Sequence, residues 1–426
     1  MTRWTNWGGN VTATPSQVAD PADAHEVADL VREHAAIKAV GAGHSFTDIA
    51  VTDGVQLRLD RMNRVLSYDA STSRVRVQAG ISLHDLNPQL QRRGLALPNL
   101  GDVDPQSVAG AIATGTHGTG GRLFGIAKAV VGLQLVTGDG SIIEIDERHP
   151  WFDAARVGLG ALGIVTEVTL QCVPAFLLHA REEPMALPEV LDGLDDLVGG
   201  NDHFEFYWFP HTEKALTKRN NRVADGTPRA PLSRWKHWLD DEFLSNTVYE
   251  RINRIATARP TLIPRLNAIS GSTLGAREYT DHSYEVFVSP RTVRFRESEF
   301  AMPREAARQV IAELQRWFER RDQFIGFPIE VRFTGADDIW MSTGYQRDTV
   351  YIAVHQYHRS DYASYFAAAQ DIFVAHGGRP HWGKLHTLDA AYLAQVYPRF
   401  ADFAAVRDEA DPERRFANPY LDRVLG

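Results

Sequence analysis

The stretch of residues 108–121 constrains the fold of this chain more than any other. After Val108, nearly every residue in it is glycine, alanine or threonine, and the exceptions are Ile112 and His117. A backbone with so few large side chains can approach a neighbouring segment or a ligand very closely. A tightly packed structural helix would also use small residues. It would not require Thr114, Thr116 and His117 together, because these side chains can bond a phosphate or a ring heteroatom.

Two further segments share this property. Gly41, Ala42 and Gly43 follow the apolar run "IKAV" and precede His44, and "GLGALGIVTEV" spans residues 158–168. A glycine turn after a strand exposes backbone N–H groups to an anion. The first turn is neither a Walker loop nor a Rossmann fingerprint, so taken alone it fits a plain turn with a solvated imidazole equally well. Three such segments in one half of the chain favour a long ligand that carries phosphates and a flat ring.

Composition excludes several classes of protein. The chain has 426 residues, of which 44% are hydrophobic and 23% charged, as in ordinary globular proteins with two or three domains. A net charge of −9 argues against a nucleic-acid partner. The single cysteine, Cys172, cannot form an internal disulfide, and we predict a buried core residue there and a cytoplasmic location. The sequence contains neither a signal peptide nor a run of ~20 apolar residues, so no transmembrane segment is predicted.

The first 175 residues alternate between short helical and strand patterns. Helical spacing of apolar residues predicts helices in "DAHEVADLVREHA", where Asp23 and Glu26 form a capping box, and in "SLHDLNPQLQRRG". Period-two alternation predicts strands in "GVQLRLD", "SRVRVQAG" and "GALGIVTEVTLQCVP". "VVGLQLVTGDGSIIEID" is predicted to be a hairpin that turns at residues 138–140. This part of the chain is therefore predicted to be an α+β unit.

The pattern changes after Pro174 and indicates a second α+β unit. Strands are predicted in "HFEFYWFPHT", "FPIEVRF" and "TVYIAVHQYH", and helices in "MPREAARQVIAELQRWFERR" and "YASYFAAAQDIFVAHGG". The apolar face of the first of these helices is formed by Ala307, Val310, Ile311, Leu314 and Phe318. The tail, which begins with "RPHWGKLHT", returns to glycine, histidine and lysine and is predicted to fold back on the first unit.

Two strands place chemically useful side chains two residues apart. Glu330 and Arg332 lie in "FPIEVRF", and His355 and Tyr357 lie in "VHQYH". Residues i and i+2 of a strand point to the same face, so each pair is presented together. On the residues alone, an ion pair on an exposed strand is the simpler interpretation of Glu330 and Arg332. No HExxH or CxxC motif is present among the 16 histidines and the one cysteine, so no metal site is predicted.

The ordered set of motifs resembles the vanillyl-alcohol-oxidase-type FAD-linked oxidoreductases, and within them the sugar-lactone and alditol oxidase branch. The segments that carry the resemblance are "VGAGHSFTDIA", "GDVDPQSVAGAIATGTHGTG", "GALGIVTEVTL", "FPIEVRF" and "RPHWGK". The resemblance implies an α+β fold with a two-subdomain, PCMH-type FAD-binding domain over residues 1–175. An α+β substrate-binding cap with an antiparallel sheet would span residues 176–378, and residues 379–426 would return to the FAD-binding domain. The resemblance is weakest over about residues 180–290.

The resemblance also implies the cofactor and its ligands. FAD would be bound covalently, with its 8α-methyl carbon bonded to His44. The other residues expected to contact FAD are Val40, Gly41, Ala42, Gly43, Ser45, Gly101, Ser107, Gly110, Ala111, Thr114, Thr116, His117, Gly118, Gly163, Ile164, Val165 and Lys384.

The reaction implied by the resemblance is FAD-dependent oxidation of a CH–OH donor. The expected donor is a carbohydrate secondary alcohol in an aldono-1,4-lactone of the L-gulono or D-arabinono type, with hydride transfer to flavin N5 and reoxidation by O2 or another acceptor. The alternative is oxidation of an alditol such as xylitol or sorbitol, or of another polyol, with formation of H2O2. Glu330 would bond the substrate hydroxyls, and Arg332 would face the N1/C2 carbonyl edge of the flavin. Either His355 or Lys384 would be the base.

Two departures from the alditol branch bear on the substrate. Tyr357 replaces a threonine of that branch and Asp102 replaces a serine, so both are expected to contact a lactone or another cyclic polyol, together with Glu330, Arg332 and Lys384. Gly101 falls where the family carries the residue that controls oxygen access to flavin C4a, and glycine there favours an oxidase. A non-catalytic nucleotide-binding module is the competing class, but it would leave the predicted catalytic set, Glu330, Arg332, His355 and Lys384, without a purpose. His381 and His386 are expected to be structural.

Overall fold

The computed structural model describes residues 3–233, 249–273, 275–289, 293–320 and 323–426. The strands in these ranges are Trp4–Thr5, Thr12–Ala13, Gln17–Ala19, Ile37–Val40, Val55–Arg58, Val65–Asp69, Arg74–Gln78, Leu95–Ala96, Val130–Val136, Ile142–Asp146, Ile164–Gln171, Val173–Pro174, Leu177–Ala186, His203–Trp208, Lys214–Arg222, Arg277–His282, Phe295–Pro303, Ile329–Thr334, Thr349–Tyr357 and Arg379–Pro380. The α-helices are Ala24–Glu33, Leu83–Gln91, Val108–Ala113, Phe152–Ala155, Leu187–Asp192, Leu194–Gly199, Tyr249–Ala258, Ile263–Thr273, Ser283–Phe287, Ala307–Phe318, Ala363–Ala375, Ala390–Val396, Phe400–Ala410 and Pro419–Leu425. Short 3-10 helices cover Asp48–Ala50, Ile126–Ala129, Pro260–Leu262 and Arg304–Ala306.

A small parallel sheet forms the N-terminal part. Its strands lie in the order Gln17–Ala19, Val55–Arg58 and Ile37–Val40. The helix Ala24–Glu33 connects the outer two, and the Asp23 side chain caps it by accepting hydrogen bonds from two backbone N–H groups of its first turn. The predicted capping box is present in a shifted form, because the Glu26 carboxylate accepts from the Ala22 N–H.

An antiparallel five-stranded sheet follows. Its order is Ile142–Asp146, Val130–Val136, Ile164–Gln171, Arg74–Gln78 and Val65–Asp69. The predicted hairpin joins the first two of these strands, with Ile142 opposite Val136. These elements share one core that also contains Cys172, where burial raises the pKa of the thiol to about 12. The cysteine is therefore a core residue, as predicted.

The larger sheet has eight strands. Their order is Arg277–His282, Leu177–Ala186, Lys214–Arg222, His203–Trp208, Ile329–Thr334, Thr349–Tyr357, Phe295–Pro303 and Arg379–Pro380. One face is apolar and packs on the helix Ala307–Phe318, whose five predicted apolar residues are all buried. Because side chains alternate along a strand, the opposite face carries the polar members of the same strands. That face contains Glu205, Glu297, Glu330, Arg332 and His355, all of them buried.

The C-terminal tail packs into the N-terminal core. Phe403, Phe416 and Leu421 belong to that core, and the buried Lys38 ammonium donates to the Phe416 carbonyl. The eight-stranded sheet extends past the predicted cap boundary at residue 378, because its last strand is Arg379–Pro380. The division into three segments stays a prediction. Within the described ranges, none of the helices is both long and apolar enough to cross a membrane.

Candidate active site

Two of the small-residue segments meet at Gly41. A Cβ atom added there would lie 2.5 Å from Ser107 Oγ, so any other residue at position 41 would displace the Ser107 hydroxyl. Ser107 begins the small-residue helix Val108–Ala113, because its hydroxyl accepts a hydrogen bond from the Gly110 N–H. A cavity of about 530 Å³ opens beside this contact. The predicted residues that line it are Val40, Gly41, Ala42, Ser107, Gly110, Gly163, Ile164 and Val165.

A second cavity of about 910 Å³ continues from the first. Ser82 and Pro105 line both. The predicted residues around the second cavity are His44, Ser45, Gly101, Asp102, Thr114, Thr116, His117, Glu330, Arg332, His355 and Lys384. The two cavities thus place the glycine loops and the reactive side chains along one elongated site.

Three predicted cofactor contacts line neither cavity. Gly43 has a positive φ of 70° and forms the turn itself, and a Cβ there would lie 3.1 Å from Trp4 Cζ2. Ala111 lies on the face of the helix Val108–Ala113 that packs into the core, and it is fully buried. Gly118 permits close backbone packing, since a Cβ there would lie 2.0 Å from the Leu100 carbonyl oxygen. These residues shape the loops and do not face the cavities.

Tyr357 is likewise displaced from the predicted substrate contacts. Its ring packs in an apolar cluster with Phe46, Phe295 and Phe327. Its hydroxyl lies 2.5 Å from a carboxylate oxygen of Glu250, and burial together with this neighbour raises the pKa of the phenol. Tyr357 points to the same face of the strand as His355, as predicted. The aromatic cluster closes that end of the cavity, so Tyr357 does not line it.

Arg332 is the centre of a buried charge network. Its Nη2 lies 2.6 Å from Glu330 Oε1 and 3.5 Å from Asp102 Oδ1, and its Nε donates to Glu205 Oε2 at 2.8 Å. Glu330 is 4% exposed and Arg332 7%, so the predicted ion pair exists but the exposed strand does not. Burial opposes the charge, but the surrounding carboxylates raise the pKa of the guanidinium well above its usual value.

Glu330 is fixed from a second side by Tyr207. The Tyr207 hydroxyl lies 2.5 Å from Glu330 Oε1 and 3.2 Å from Glu205 Oε1. Lys218 approaches Glu205 at 3.6 Å from the outer side. The Glu330 carboxylate therefore has a set orientation before any ligand binds.

A second network joins the two candidate bases. Glu297 Oε2 accepts from Lys384 Nζ at 2.5 Å, and Glu297 Oε1 lies 3.5 Å from His355 Nε2. Burial raises the pKa of Glu297, but Lys384 and His355 outweigh burial and lower the pKa to about 2. Glu297 is therefore ionised at any physiological pH.

Glu299 forms a parallel network on the same strand. Its Oε1 lies 3.3 Å from His117 Nε2, and the His117 ring stacks on Tyr351 at a centroid distance of 3.6 Å. His381 lines the cavity beside this pair, and its Nδ1 accepts a hydrogen bond from the Gly383 N–H; its structural role stays a prediction. His386 is buried against the Tyr420 hydroxyl, away from the cavity.

His44 sits at the edge of the second cavity. It is half-buried and its ring stacks on Trp7 at a centroid distance of 5.5 Å. Burial, and then the positive charge of Lys384, lowers the pKa of the imidazole to about 4. His44 is therefore neutral near pH 7, and a neutral imidazole has a nitrogen lone pair available for bond formation.

The sequence reasoning missed Glu205, Tyr207, Glu297 and Glu299. Glu205 and Tyr207 stand two positions apart in the mostly apolar segment "HFEFYW", and Glu297 and Glu299 stand two positions apart in the polar segment "FRESEF". Such alternation is common on half-exposed strands, so it did not by itself indicate a site.

Two groups of these residues are close enough to hold a metal ion, His117 with Glu299 and His381, and Glu297 with Glu330 and His355. Their hydrogen bonds disfavour metal binding. His381 Nδ1 accepts from the Gly383 N–H, which places the ring hydrogen on Nε2. His355 has an acceptor at each ring nitrogen. In this arrangement neither histidine offers a lone pair from Nε2.

The chain matches known families over most of its length. Residues 15–146 match the FAD binding domain family. Residues 168–424 match the D-arabinono-1,4-lactone oxidase family. Cholesterol oxidase from B. sterolicum has a similar fold, with a TM-score of 0.85 at 18% identity over 100% of this chain and 96% of that chain. This match confirms the predicted α+β fold class.

Several named enzymes are similar to this chain along nearly their whole length. The L-gulono-1,4-lactone dehydrogenase of Mycobacterium tuberculosis is 44% identical over 99% of both chains. The L-gulonolactone oxidase of Bos taurus is 36% identical over 99% of this chain and 98% of its own. The alditol oxidase of a Streptomyces species is 34% identical over 99% of this chain and 98% of its own.

Proposed function

This chain belongs to the D-arabinono-1,4-lactone oxidase family of FAD-dependent oxidoreductases, and we propose that it oxidises an aldono-1,4-lactone of the L-gulono or D-arabinono type at a secondary alcohol. The proposed catalytic residues are Glu330, Arg332, His355 and Lys384. The proposed substrate contacts are Asp102, Glu330, Arg332 and Lys384, without Tyr357, because its hydroxyl is directed at Glu250.

The residues of the first cavity fit the cofactor. At Gly41 no side chain covers the backbone, so its N–H group can approach an anionic pyrophosphate in the first cavity. The second cavity is large enough for a ring system and has the neutral imidazole of His44 at its edge. FAD, when bound, supplies the two-electron acceptor of the reaction. We further propose that His44 holds it covalently.

The substrate proposal rests on the charged groups that line the second cavity. Six carboxylates and two fixed cations, Arg332 and Lys384, are among its described lining residues. Such a site repels an anionic sugar acid and accepts hydrogen bonds from a neutral polyhydroxy compound. A lactone is the neutral form of an aldonic acid, and it therefore suits this cavity where the open aldonate does not.

The chain's own groups orient the substrate and stabilise charge. Glu330, held by Tyr207 and Arg332, accepts the hydrogen bond of the reacting hydroxyl. Arg332 adds a fixed positive charge that stabilises the negative charge developed on reduction. The apolar cluster of Phe46, Phe295 and Phe327 excludes water from one end of the cavity.

An alditol is the second candidate substrate, because the alditol oxidase of Streptomyces is also a full-length relative. Asp102 favours the lactone. Its carboxylate lies 3.5 Å from Arg332 at the cavity wall, where an added negative charge changes the hydrogen-bonding surface offered to a linear polyol.

A substrate panel tests the proposed function. Purified enzyme is mixed with L-gulono-1,4-lactone, D-arabinono-1,4-lactone, L-gulonate, xylitol and sorbitol, and flavin bleaching is followed without oxygen. We expect fast bleaching by a lactone, slower bleaching by the alditols and none by the gulonate anion. Faster bleaching by xylitol or sorbitol than by either lactone would replace the lactone proposal with the alditol one.

Gly101 is expected to control the reaction with oxygen. A Cβ at this position would lie in the cavity wall, 3.0 Å from the His117 carbonyl oxygen and 3.3 Å from Thr116 Cγ2. We expect Gly101→Ala to slow reoxidation of the reduced enzyme by O2 about tenfold, equivalent to about 1.4 kcal/mol. Stopped-flow reoxidation with O2 and with a dye acceptor measures the effect.

Gly125→Ala is the matched control for this prediction. A Cβ there would press on the same loop, 3.2 Å from the Thr116 carbonyl oxygen, but Gly125 lines neither cavity. Equal slowing in both variants would show that loop strain, and not oxygen access, is the cause. A reduced wild-type enzyme that reacts with the dye but not with O2 would contradict the prediction directly.

A further inference from the structure

The groups that contact His355 and Lys384 do not favour the role of a base for either residue. One buried carboxylate, that of Glu297, contacts both of them. We infer that Glu297 is a positioning residue that holds Lys384 as an ammonium and fixes the orientation of the His355 ring, so that neither side chain accepts the substrate proton. That proton passes instead to the Glu330 carboxylate, which accepts the hydrogen bond of the reacting hydroxyl. This inference deepens the proposed function and rests on it for the identity of the reacting cavity. It concerns a residue that the sequence did not indicate.

The geometry around Lys384 favours the charged form. Its Nζ lies 2.5 Å from Glu297 Oε2, so the two groups make a direct charge-assisted hydrogen bond. Burial alone would lower the pKa of the amine, but Glu297, followed by Glu299, raises the pKa above its usual value. An amine in this state has no lone pair and cannot remove a proton from a hydroxyl.

His355 is held between two acceptors. Its Nδ1 lies 3.2 Å from the Pro328 carbonyl oxygen, and its Nε2 lies 3.5 Å from Glu297 Oε1. A carbonyl and a carboxylate can only accept hydrogen bonds. Each ring nitrogen therefore faces an acceptor, and neither nitrogen is directed into the cavity.

The inference depends on the charges that surround Lys384 from every side. Glu297 and Glu299 face it from the strand Phe295–Pro303, and Asp102 and His44 face it from the N-terminal loops. His381 lies three residues before it in the same loop, and the ring of Phe46 is 5.4 Å from the ammonium. Only Glu297 makes a direct ion pair with Lys384 among the described residues. Neutralising Glu297 should therefore have the largest effect on this amine.

The variant Glu297→Gln distinguishes a charged Lys384 ammonium from a neutral Lys384 base, because the two forms predict opposite changes in the rate of flavin reduction. Without the carboxylate, the effect of burial on the amine is less opposed, and the pKa of Lys384 should fall. If the ammonium is the working form, the alkaline limb of the rate of flavin reduction moves to lower pH in Glu297→Gln. If the neutral amine were the base, Glu297→Gln would be faster than wild type at neutral pH, and that result would overturn the inference.

A substrate-free measurement keeps this test independent of the lactone proposal. The absorbance of the protein-bound flavin is titrated with base in wild type, Glu297→Gln and Glu297→Asp. We expect a spectral transition at lower pH in Glu297→Gln, a transition near the wild-type value in Glu297→Asp, and its loss in the double variant Glu297→Gln/Lys384→Met. An unchanged transition in Glu297→Gln would overturn the inference, whatever the substrate panel shows.

Glu313→Gln is the control for the loss of a carboxylate that is bonded to a histidine. Glu313 lies on the helix Ala307–Phe318, away from the cavity, and accepts from His376 Nε2 at 3.1 Å. We expect its pH profile and its flavin titration to match wild type. A shift in this variant as large as that in Glu297→Gln would show that the effect is not specific to the site, and it would also overturn the inference.

Discussion

Replacing Arg332 by alanine should slow flavin reduction roughly a hundredfold, because removing one preorganised donor to developing negative charge typically costs about 3 kcal/mol. The structure adds a second expected effect. Arg332 bonds Glu330 at 2.6 Å and Glu205 at 2.8 Å, and lies 3.5 Å from Asp102. Its removal leaves buried carboxylates without their common cation, which should cost about 3–5 kcal/mol of folding free energy. The flavin reduction potential should also fall, because the cavity becomes more negative.

The measurements are stopped-flow flavin reduction, a potential titration and thermal unfolding. Glu330→Gln removes the hydroxyl acceptor but keeps the guanidinium, so it should impair substrate binding and reduction with little change in potential. Arg277→Ala controls for loss of a partly buried ion pair in the same sheet, since Arg277 bonds Glu182 at 2.7 and 2.9 Å. It should lower stability without changing the potential. A wild-type potential in Arg332→Ala, with loss of binding alone, would make Arg332 a substrate clamp and not a partner of the flavin.

Local periodicity predicted which face each residue occupies. The five apolar positions of the helix Ala307–Phe318 are all buried, and Glu330 and Arg332 share one face of their strand with a direct ion pair. Both results follow from the 3.6- and 2-residue repeats, which depend only on neighbours along the chain. The glycine loops could be recognised for the same reason, because a glycine such as Gly41, which leaves the backbone uncovered, is read directly from the sequence.

Periodicity could not predict which strands are neighbours. Glu205 meets Arg332 across 127 positions of sequence because the strands His203–Trp208 and Ile329–Thr334 pair. Glu297 meets Lys384 only because the chain returns to the sheet after the helix Ala363–Ala375. The position of Tyr357 depends on an aromatic cluster assembled from separate segments, so the same-face rule gave its direction but not its distance from the cavity. Strand order is set by tertiary packing, and one sequence does not contain it as a local pattern.

His44→Ala should abolish the retention of flavin by denatured protein. Wild-type protein precipitated with acid should stay yellow, and the variant should release all of its FAD to the supernatant. The positive φ of Gly43 sets the turn that brings His44 to the cavity edge, and Trp7 stacks on the ring and restricts it. Because the pKa of the imidazole is about 4, its nitrogen is unprotonated and able to bond the 8α-methyl carbon at neutral pH. Bond formation is a net two-electron oxidation, for which O2 is the proposed acceptor.

The depressed pKa gives this prediction a second, independent test. When apoprotein is reconstituted with FAD, the rate of covalent attachment should be constant between pH 6 and 8, because an imidazole with a pKa of about 4 stays neutral across that range. An unperturbed histidine, with a pKa of about 6.5, would instead gain rate as the pH rises through that value. His84→Ala is the matched control, since His84 also lines the cavity but is paired with Asp104 at 2.8 Å, which raises the pKa of its ring. This control should keep its acid-stable flavin. Release of FAD from denatured wild-type protein, or its retention by His44→Ala, would exclude the histidyl link and leave FAD bound through the glycine loops alone.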